Sequence, residues 1–385
     1  MTRPIISMVA GETSGDMLAA RLLSGLRPRL PDSLMHGIGG PRMAESGFVS
    51  DFPMEKLSVR GLFEVLMHYR EISGIRKRLM QQLLDERPDV FIGVDAPDFN
   101  LDLEIQLKQA GIPTMHYISP SIWAWRGGRI NKIAQAVSHM LLIFPFEEEI
   151  YRKAGIPATY VGHPLAQVIP MKPDVAAARE ELGLEPDARV VTIMPGSRMS
   201  ELKYNTEAFV QTAKLLLERD PHLQILVPMA GQKQRAYYID LVLQAKLEDV
   251  PILLMDGKSH TAIAAADAVL VASGTASLEV ALFKKPMVIA YKMMAASWHV
   301  LKHMGYQAWV GLPNILAEDF LVPEFLQSAA TPAAMAEALW KQLSDDVLRQ
   351  NLEQRFVDMH HSLLRDTASL SSQAVLDVIA QHKRS

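Results

Sequence analysis

Short apolar runs alternate with amphipathic stretches along almost the whole chain, and that alternation leaves few folds open. Ile5–Ala10 is followed by a helical pattern over Asp16–Arg27. Asp89–Val94 precedes Leu101–Ala110, Thr114–Ile118 follows Gly111-Ile112-Pro113, and Met140–Phe144 precedes Glu147–Ala154. A short run that is apolar at every position reads as a strand buried on both faces, and a helix between two such strands makes their connection parallel. The pattern breaks where Pro164, Pro170, Pro173 and Pro186 cluster. It then restarts: Val190–Met194, Gln224–Pro228, Ile252–Met255, Ala268–Ala272 and Met287–Ala290 alternate with helical stretches. The pattern predicts an α/β protein of two doubly wound, Rossmann-like domains facing a central cleft. The first covers residues 1–165, a linker 166–187, and the second 188–344. Residues 332–385 read as helices. In such folds ligands bind beyond the carboxyl ends of the strands.

A length of 385 residues suits two cores better than one. A net charge of −4 gives no global basic signature, so nucleic acid is not expected as a partner. Cysteine is absent, which excludes disulfides and thiolate-ligated metals. The opening run Ile5–Ala10 is too short for a signal segment, and no apolar stretch approaches the roughly 18 uncharged residues of a membrane span. A cytoplasmic protein is expected, free or bound peripherally to a membrane.

The loops that follow the apolar runs carry the chemistry. Ala272-Ser273-Gly274-Thr275-Ala276-Ser277-Leu278-Glu279 joins an apolar strand to a helix. Backbone N–H groups at Ser273, Gly274, Thr275 and Ala276 would face the positive end of the helix dipole, where phosphate is attracted. Glu279, one turn on, is placed to accept hydrogen bonds from a sugar hydroxyl. The combination fits a diphosphate attached to a ribose. A Ser/Thr cap without ligand fits the same residues. Pro195-Gly196-Ser197-Arg198 ends the first strand of the second half, and Arg198 there suits a diphosphate clamp. Gly11-Glu12-Thr13-Ser14-Gly15-Asp16 ends the first strand of all, with Thr13 or Ser14 a candidate helix cap. The pattern GxGxxG is missing, which argues against a nicotinamide cofactor.

Asp95, in Val94-Asp95-Ala96-Pro97-Asp98-Phe99-Asn100, ends another apolar strand and is the strongest candidate for proton chemistry. Asp98 and Asn100 could cap the helix that follows. The D-x-x-D spacing lacks a third ligand, so no metal is expected. Trp123, Trp125, Arg126 and Arg129 set aromatics beside cations, which suits a sugar face, a lipid headgroup or a phosphate. His163 reads as structural or as a ligand contact. Arg60–Leu84 mixes apolar and basic residues. Leu62, Phe63, Leu66 and Tyr69 there fit a membrane-surface contact or an ordinary core-facing helix.

Ten strings in order make the chain closely resemble the lipid-A-disaccharide synthases, inverting glycosyltransferases of the GT-B class. They are Ala10–Asp16, Gly39–Met43, Asp95–Asn100, Tyr117–Trp125, Phe144–Glu147, Val161–Pro164, Pro195–Arg198, Ala272–Glu279, Pro286–Lys292 and Leu312–Leu316. The resemblance implies UDP-2,3-diacylglucosamine as donor and 2,3-diacylglucosamine 1-phosphate (lipid X) as acceptor, with no cofactor. It implies Asp95 as general base, Arg198 and Ser273–Ala276 on the departing diphosphate, and Glu279 and Asn314 in the nucleotide site. Glu12, Ser14 and Asp16 fall to the acceptor side, and Trp123 to Arg129 to lipid or phosphate. Acylated substrates imply an anionic membrane surface on the cytoplasmic side of the inner membrane. The GT-B pattern returns the last helices, 345–385, to an N-terminal domain. Sequence does not decide between the chain's own domain and that of a homodimer partner. Another UDP-sugar enzyme of the same fold and a non-catalytic nucleotide-binding protein are the rival readings.

Overall fold

The computed structural model describes residues 3–57, 62–124, 127–294, 298–299 and 308–384, without the side chains of 62–69. The chain divides into two compact units, Met1–Pro164 with Leu363–Ser385, and Leu165–Ser362.

The first unit is built on β1 (Ile5–Ala10), β2 (Leu34–Gly39), β3 (Val49–Pro53), β4 (Val90–Val94), β5 (Thr114–Tyr117), β6 (His139–Leu142) and β7 (Ala158–Tyr160). All pairings are parallel, in the order β3-β2-β1-β4-β5-β6-β7. Ala10 stands opposite Val94, and Val94 opposite Tyr117, so the loops opening at Gly11, Asp95 and Ile118 leave one edge together. The strand order reverses direction between β1 and β4, the position where doubly wound sheets open a crevice. On one face, Ile75, Leu79 and Leu83 of the helix Leu62–Glu86 join Val9, Phe91, Leu103 and Leu107 in the core. Burying each such side chain contributes about 1.5–3 kcal/mol. The later half of that helix is therefore an ordinary core-facing one. Leu62, Phe63, Leu66 and Tyr69, whose membrane contact was expected, have side chains outside the described residues.

The second unit holds β8 (Val190–Met194), β9 (Gln224–Met229), β10 (Leu253–Asp256), β11 (Ala268–Ala272), β12 (Met287–Tyr291) and β13 (Glu324–Leu326). They pair in parallel in the order β10-β9-β8-β11-β12-β13, with the reversal at β8 and β11. Val191 and Ile193 pack with Phe209 and Leu216 of the helix Met199–Arg219 and with Met335 and Leu339 of the helix Pro332–Ser344.

The division differs from the expected domain limits at two places. The proline-rich stretch after 165 is part of the second unit. The Nη2 of its Arg179 donates to both carboxylate oxygens of Asp267, at 3.1 and 3.0 Å. The helix Asp346–Leu363 also stays there, with His360 Nε2 2.7 Å from the Ala166 carbonyl. Only the helix Thr367–His382 returns, packing on Thr13–Leu26, and Thr367 Oγ1 donates to the Val161 carbonyl at 2.8 Å.

Candidate active site

In the second unit a cavity of about 510 Å³ opens at the carboxyl ends of the strands around β8 and β11. Its floor is the loop Ser273–Gly274 and the start of the helix Thr275–Leu282. The first N–H groups of a helix have no partner within it, so this end offers donors to an anion. Ser277 Oγ is spent on the Gly274 carbonyl at 2.8 Å, and Ser273 Oγ on that of Val310 at 3.1 Å.

Arg198 and Glu279 line the same cavity. Glu201 shapes the Arg198 loop: its Oε2 accepts from the N–H groups of Ser197 and Arg198, at 2.9 and 3.1 Å. Gly196, at φ +126, is required there, because a Cβ would lie 2.4 Å from that of Glu201. The Arg198 side chain is 76% exposed and makes one 3.3 Å contact to Glu201, which leaves most of its five donors for a ligand. Glu279 Oε2 lies 3.4 Å from His260 Nε2, and the His260 ring meets Phe283 edge-on at 5.2 Å.

Sequence reading missed His260, Glu201 and Asn205. Asn205 is fully buried; its Nδ2 donates to the Glu201 carbonyl at 2.9 Å and its Oδ1 accepts from the Lys292 N–H at 2.9 Å. It ties the Arg198 loop to the end of β12. Asn314 does not line the cavity. Its amide is committed to Val322 and to Glu324 Oε1 at 2.8 Å, and Glu324 accepts from the N–H groups of Val310 and Gly311, both at 2.9 Å. Asn314 thus reaches the site only through the segment that holds Ser273.

In the first unit Asp95 is half-buried at the end of β4, and its N–H donates to the Tyr117 carbonyl at 2.8 Å. A Cβ at Gly11 would stand 3.0 Å from the Ala96 Cβ, so the Asp95 loop and the Glu12–Ser14 turn are neighbours. The helix there starts at Thr13, with Glu12 as its N-cap and no side-chain cap bond, so neither Thr13 nor Ser14 caps it. Ser14 is exposed and Glu12 half-buried. Asp16 is buried, and its carboxylate accepts from the N–H groups of Gly40, Arg42 and Met43 at 2.9–3.1 Å. It holds the next turn rather than facing solvent. Asp98 and Asn100 do not cap the helix Pro97–Gln109. Asp98 is exposed and pairs with Arg129.

Trp123 meets Phe144 and Phe146 edge-on at 6.1 and 5.3 Å, and Phe144 lies 5.2 Å from the His163 ring. Arg126, and Trp125 beside it, lie outside the described residues. Burial holds His163 neutral, pushing it down to about 4. Glu147, fully enclosed beside this cluster, is pushed by burial up to about 7 from 4.5, while its Oε2 accepts from the Phe144 N–H at 3.1 Å. Because the folded value is raised, the stability this group contributes is complete below about pH 4.5 and lost as the pH climbs through about 7. Glu147→Gln keeps the shape and the acceptor. Its melting temperature should match that of the unmodified protein at about pH 4 and exceed it at pH 8.5, by the equivalent of at most about 3 kcal/mol. Equal shifts at both pH values would refute this.

Among the described residues no cluster of three or more His, Asp or Glu could hold a metal ion, and no helix is long and apolar enough to cross a membrane. The model of the family described as lipid-A-disaccharide synthetase matches residues 6–378. The lipid-A-disaccharide synthase of Paraburkholderia phymatum is 52% identical over 380 residues, covering 98% of this chain and 97% of its own. That of Azoarcus sp. (strain BH72) is 51% identical over 377 residues, covering 98% and 96%. The calicheamicin glycosyltransferase CalG4 shares the fold at a TM-score of 0.60 and 15% identity, over 100% of this chain and 99% of its own. With relatives half identical from end to end, and with two doubly wound sheets of the GT-B kind, the chain belongs to the lipid-A-disaccharide synthase family of glycosyltransferases.

Proposed function

We propose that this protein transfers the sugar of UDP-2,3-diacylglucosamine to 2,3-diacylglucosamine 1-phosphate. The products are the β-1,6-linked tetraacyl disaccharide 1-phosphate and UDP. Asp95 takes the proton of the acceptor 6-hydroxyl as that oxygen attacks the anomeric carbon; the bond from that carbon to the diphosphate breaks on the opposite face, and configuration inverts. Arg198 and the N–H groups of Ser273–Ala276 take up the charge that develops on the leaving UDP. Glu279, steadied by His260, binds the ribose, and Asn314 supports the site through Glu324. Glu12 and Ser14 meet the acceptor, Asp16 keeps their turn in shape, and Trp123 and Arg126 meet lipid or phosphate. The observation that carries this reading is one cavity presenting Arg198, a free helix N-terminus and Glu279 together.

The protein incubated with both substrates and EDTA should release UDP and disaccharide in equal amounts, since no metal is assigned a role. Absence of release, with or without added divalent cation, would overturn the reaction; release only with the cation would overturn the metal-free part. Acylated substrates also call for a lipid surface, and Leu62, Phe63, Leu66 and Tyr69 are proposed to meet the anionic cytoplasmic face of the inner membrane. Making these four polar should reduce co-flotation with anionic vesicles severalfold; unchanged flotation would refute the contact.

A further inference from the structure

The loop bearing Asp95 is held in a conformation that side chains seldom adopt. Asp95 has φ +55 and Ala96 φ +43, two consecutive non-glycine residues in the left-handed region. Such geometry persists only where the surroundings over-determine it, and it gathers at functional sites. Asn100 supplies much of that constraint. It is fully buried, its Nδ2 donates to the Asp95 carbonyl at 2.8 Å, and the same nitrogen lies 3.4 Å from the Val9 carbonyl. One amide therefore ties the loop after β4 to the end of β1.

Beneath Asn100 the packing is polar and close. Gly93 has no Cβ, and the space is used: a Cβ there would lie 2.1 Å from Glu104 Oε1 and 3.0 Å from Asn100 Cγ. Glu104 Oε1 is 2.7 Å from His116 Nδ1, both residues are fully buried, and His116 stands opposite Gly93 in the β4–β5 register. Asn100 Oδ1, Glu104 Oε2 and His116 Nε2 have no hydrogen-bond partner. An apolar plug of the same volume would cost less to bury. Glu104 Oε1 and Asn100 share the gap that Gly93 leaves, so the polar pair fills the space beside the Asn100 side chain.

We propose that Asn100 is a positioning residue for Asp95, locked from below by the Glu104–His116 pair seated over Gly93. Asn100 is too deeply buried to meet substrate. It acts on the direction in which the Asp95 carboxylate points, and proton transfer depends steeply on that geometry. The proposal rests on the assignment of Asp95 as the base.

The test measures initial rates of UDP release, over both substrates, for Asn100→Leu and Asn100→Ala, with Asp95→Asn alongside and melting curves for each. Asn100→Leu fills the space but cannot donate. The expected result is a loss of roughly 10- to 100-fold in kcat, with both KM values within about twofold and UDP affinity unchanged. A folded Asn100→Leu with the kcat and KM of the unmodified protein would overturn the proposal, as would an effect confined to KM. Where the Asn100 variants do not fold, Gly93→Ala decides by the same criteria, since it displaces Glu104 and Asn100 without deleting a polar group. Wild-type turnover by Asp95→Asn would remove the base assignment, and the positioning role would fall with it. A dead Asp95→Asn beside an unimpaired Asn100→Leu would remove the positioning role alone.

Discussion

Asp95→Asn should lower kcat by roughly 10²- to 10⁴-fold and leave UDP binding unchanged. The amide has nearly the shape of the carboxylate and can hold the same place at the end of β4, but it cannot accept the proton of an attacking hydroxyl. The backbone bond from the Asp95 N–H to the Tyr117 carbonyl is indifferent to the substitution. UDP affinity is a clean control, because the residues that line the cavity proposed for the nucleotide all lie between Met194 and Tyr291, in the other unit. Saturating both substrates and following UDP release isolates kcat; calorimetric titration with UDP gives the control. Turnover within twofold of the unmodified protein would place the base elsewhere.

Most of the sheet scaffold was legible because its strands are short, largely apolar runs set between amphipathic stretches. Val90–Val94 and Ala268–Ala272 are apolar and buried from end to end, as strands covered on both faces are. The strands that escaped are those whose neighbours supply what the sequence lacks. β2 carries His36 and two glycines; the imidazole is buried against Asp51, 2.7 Å from its Oδ2, a pairing that only the folded sheet creates. β3 is an edge strand with little apolar surface, and the edge strands β7 and β13 have three half-buried residues each. Among the proposed site residues, Asp95 and Arg198 stand out in the sequence because each closely follows a strand, and Glu279 because it lies one turn into the helix after one. Glu201, Asn205 and His260 do not. Their roles are hydrogen bonds or contacts across sequence gaps, and a polar residue early in a helix reads as a cap or as solvated surface. Asn314 and Asp16 show the converse, since both were recognised by motif and both turn out to hold neighbouring backbone.

Arg198→Ala is expected to cost roughly 10²- to 10³-fold in kcat, about 3–4 kcal/mol of transition-state stabilisation, with a smaller loss in affinity for the intact UDP-sugar donor. The asymmetry follows from charge. In the bound donor the diphosphate carries its charge before reaction, and the helix N-terminus at Thr275 and Ala276 meets part of it. As the anomeric bond breaks, a further negative charge gathers on the leaving oxygen, and an exposed guanidinium with most of its donors unspent can meet it. Arg198→Lys should recover part of the rate, since the charge stays but the planar fork is lost. Glu201→Gln, which keeps an acceptor for the Ser197 and Arg198 N–H groups, should lose far less than Arg198→Ala, because Glu201 shapes the loop and the guanidinium meets the charge. The measurement is kcat beside the KM for the UDP-sugar donor for all three variants. If Arg198→Ala lost donor affinity and kcat/KM in equal measure while kcat at saturation stayed whole, Arg198 would bind the ground state only, and leaving-group stabilisation would rest with the helix N-terminus alone.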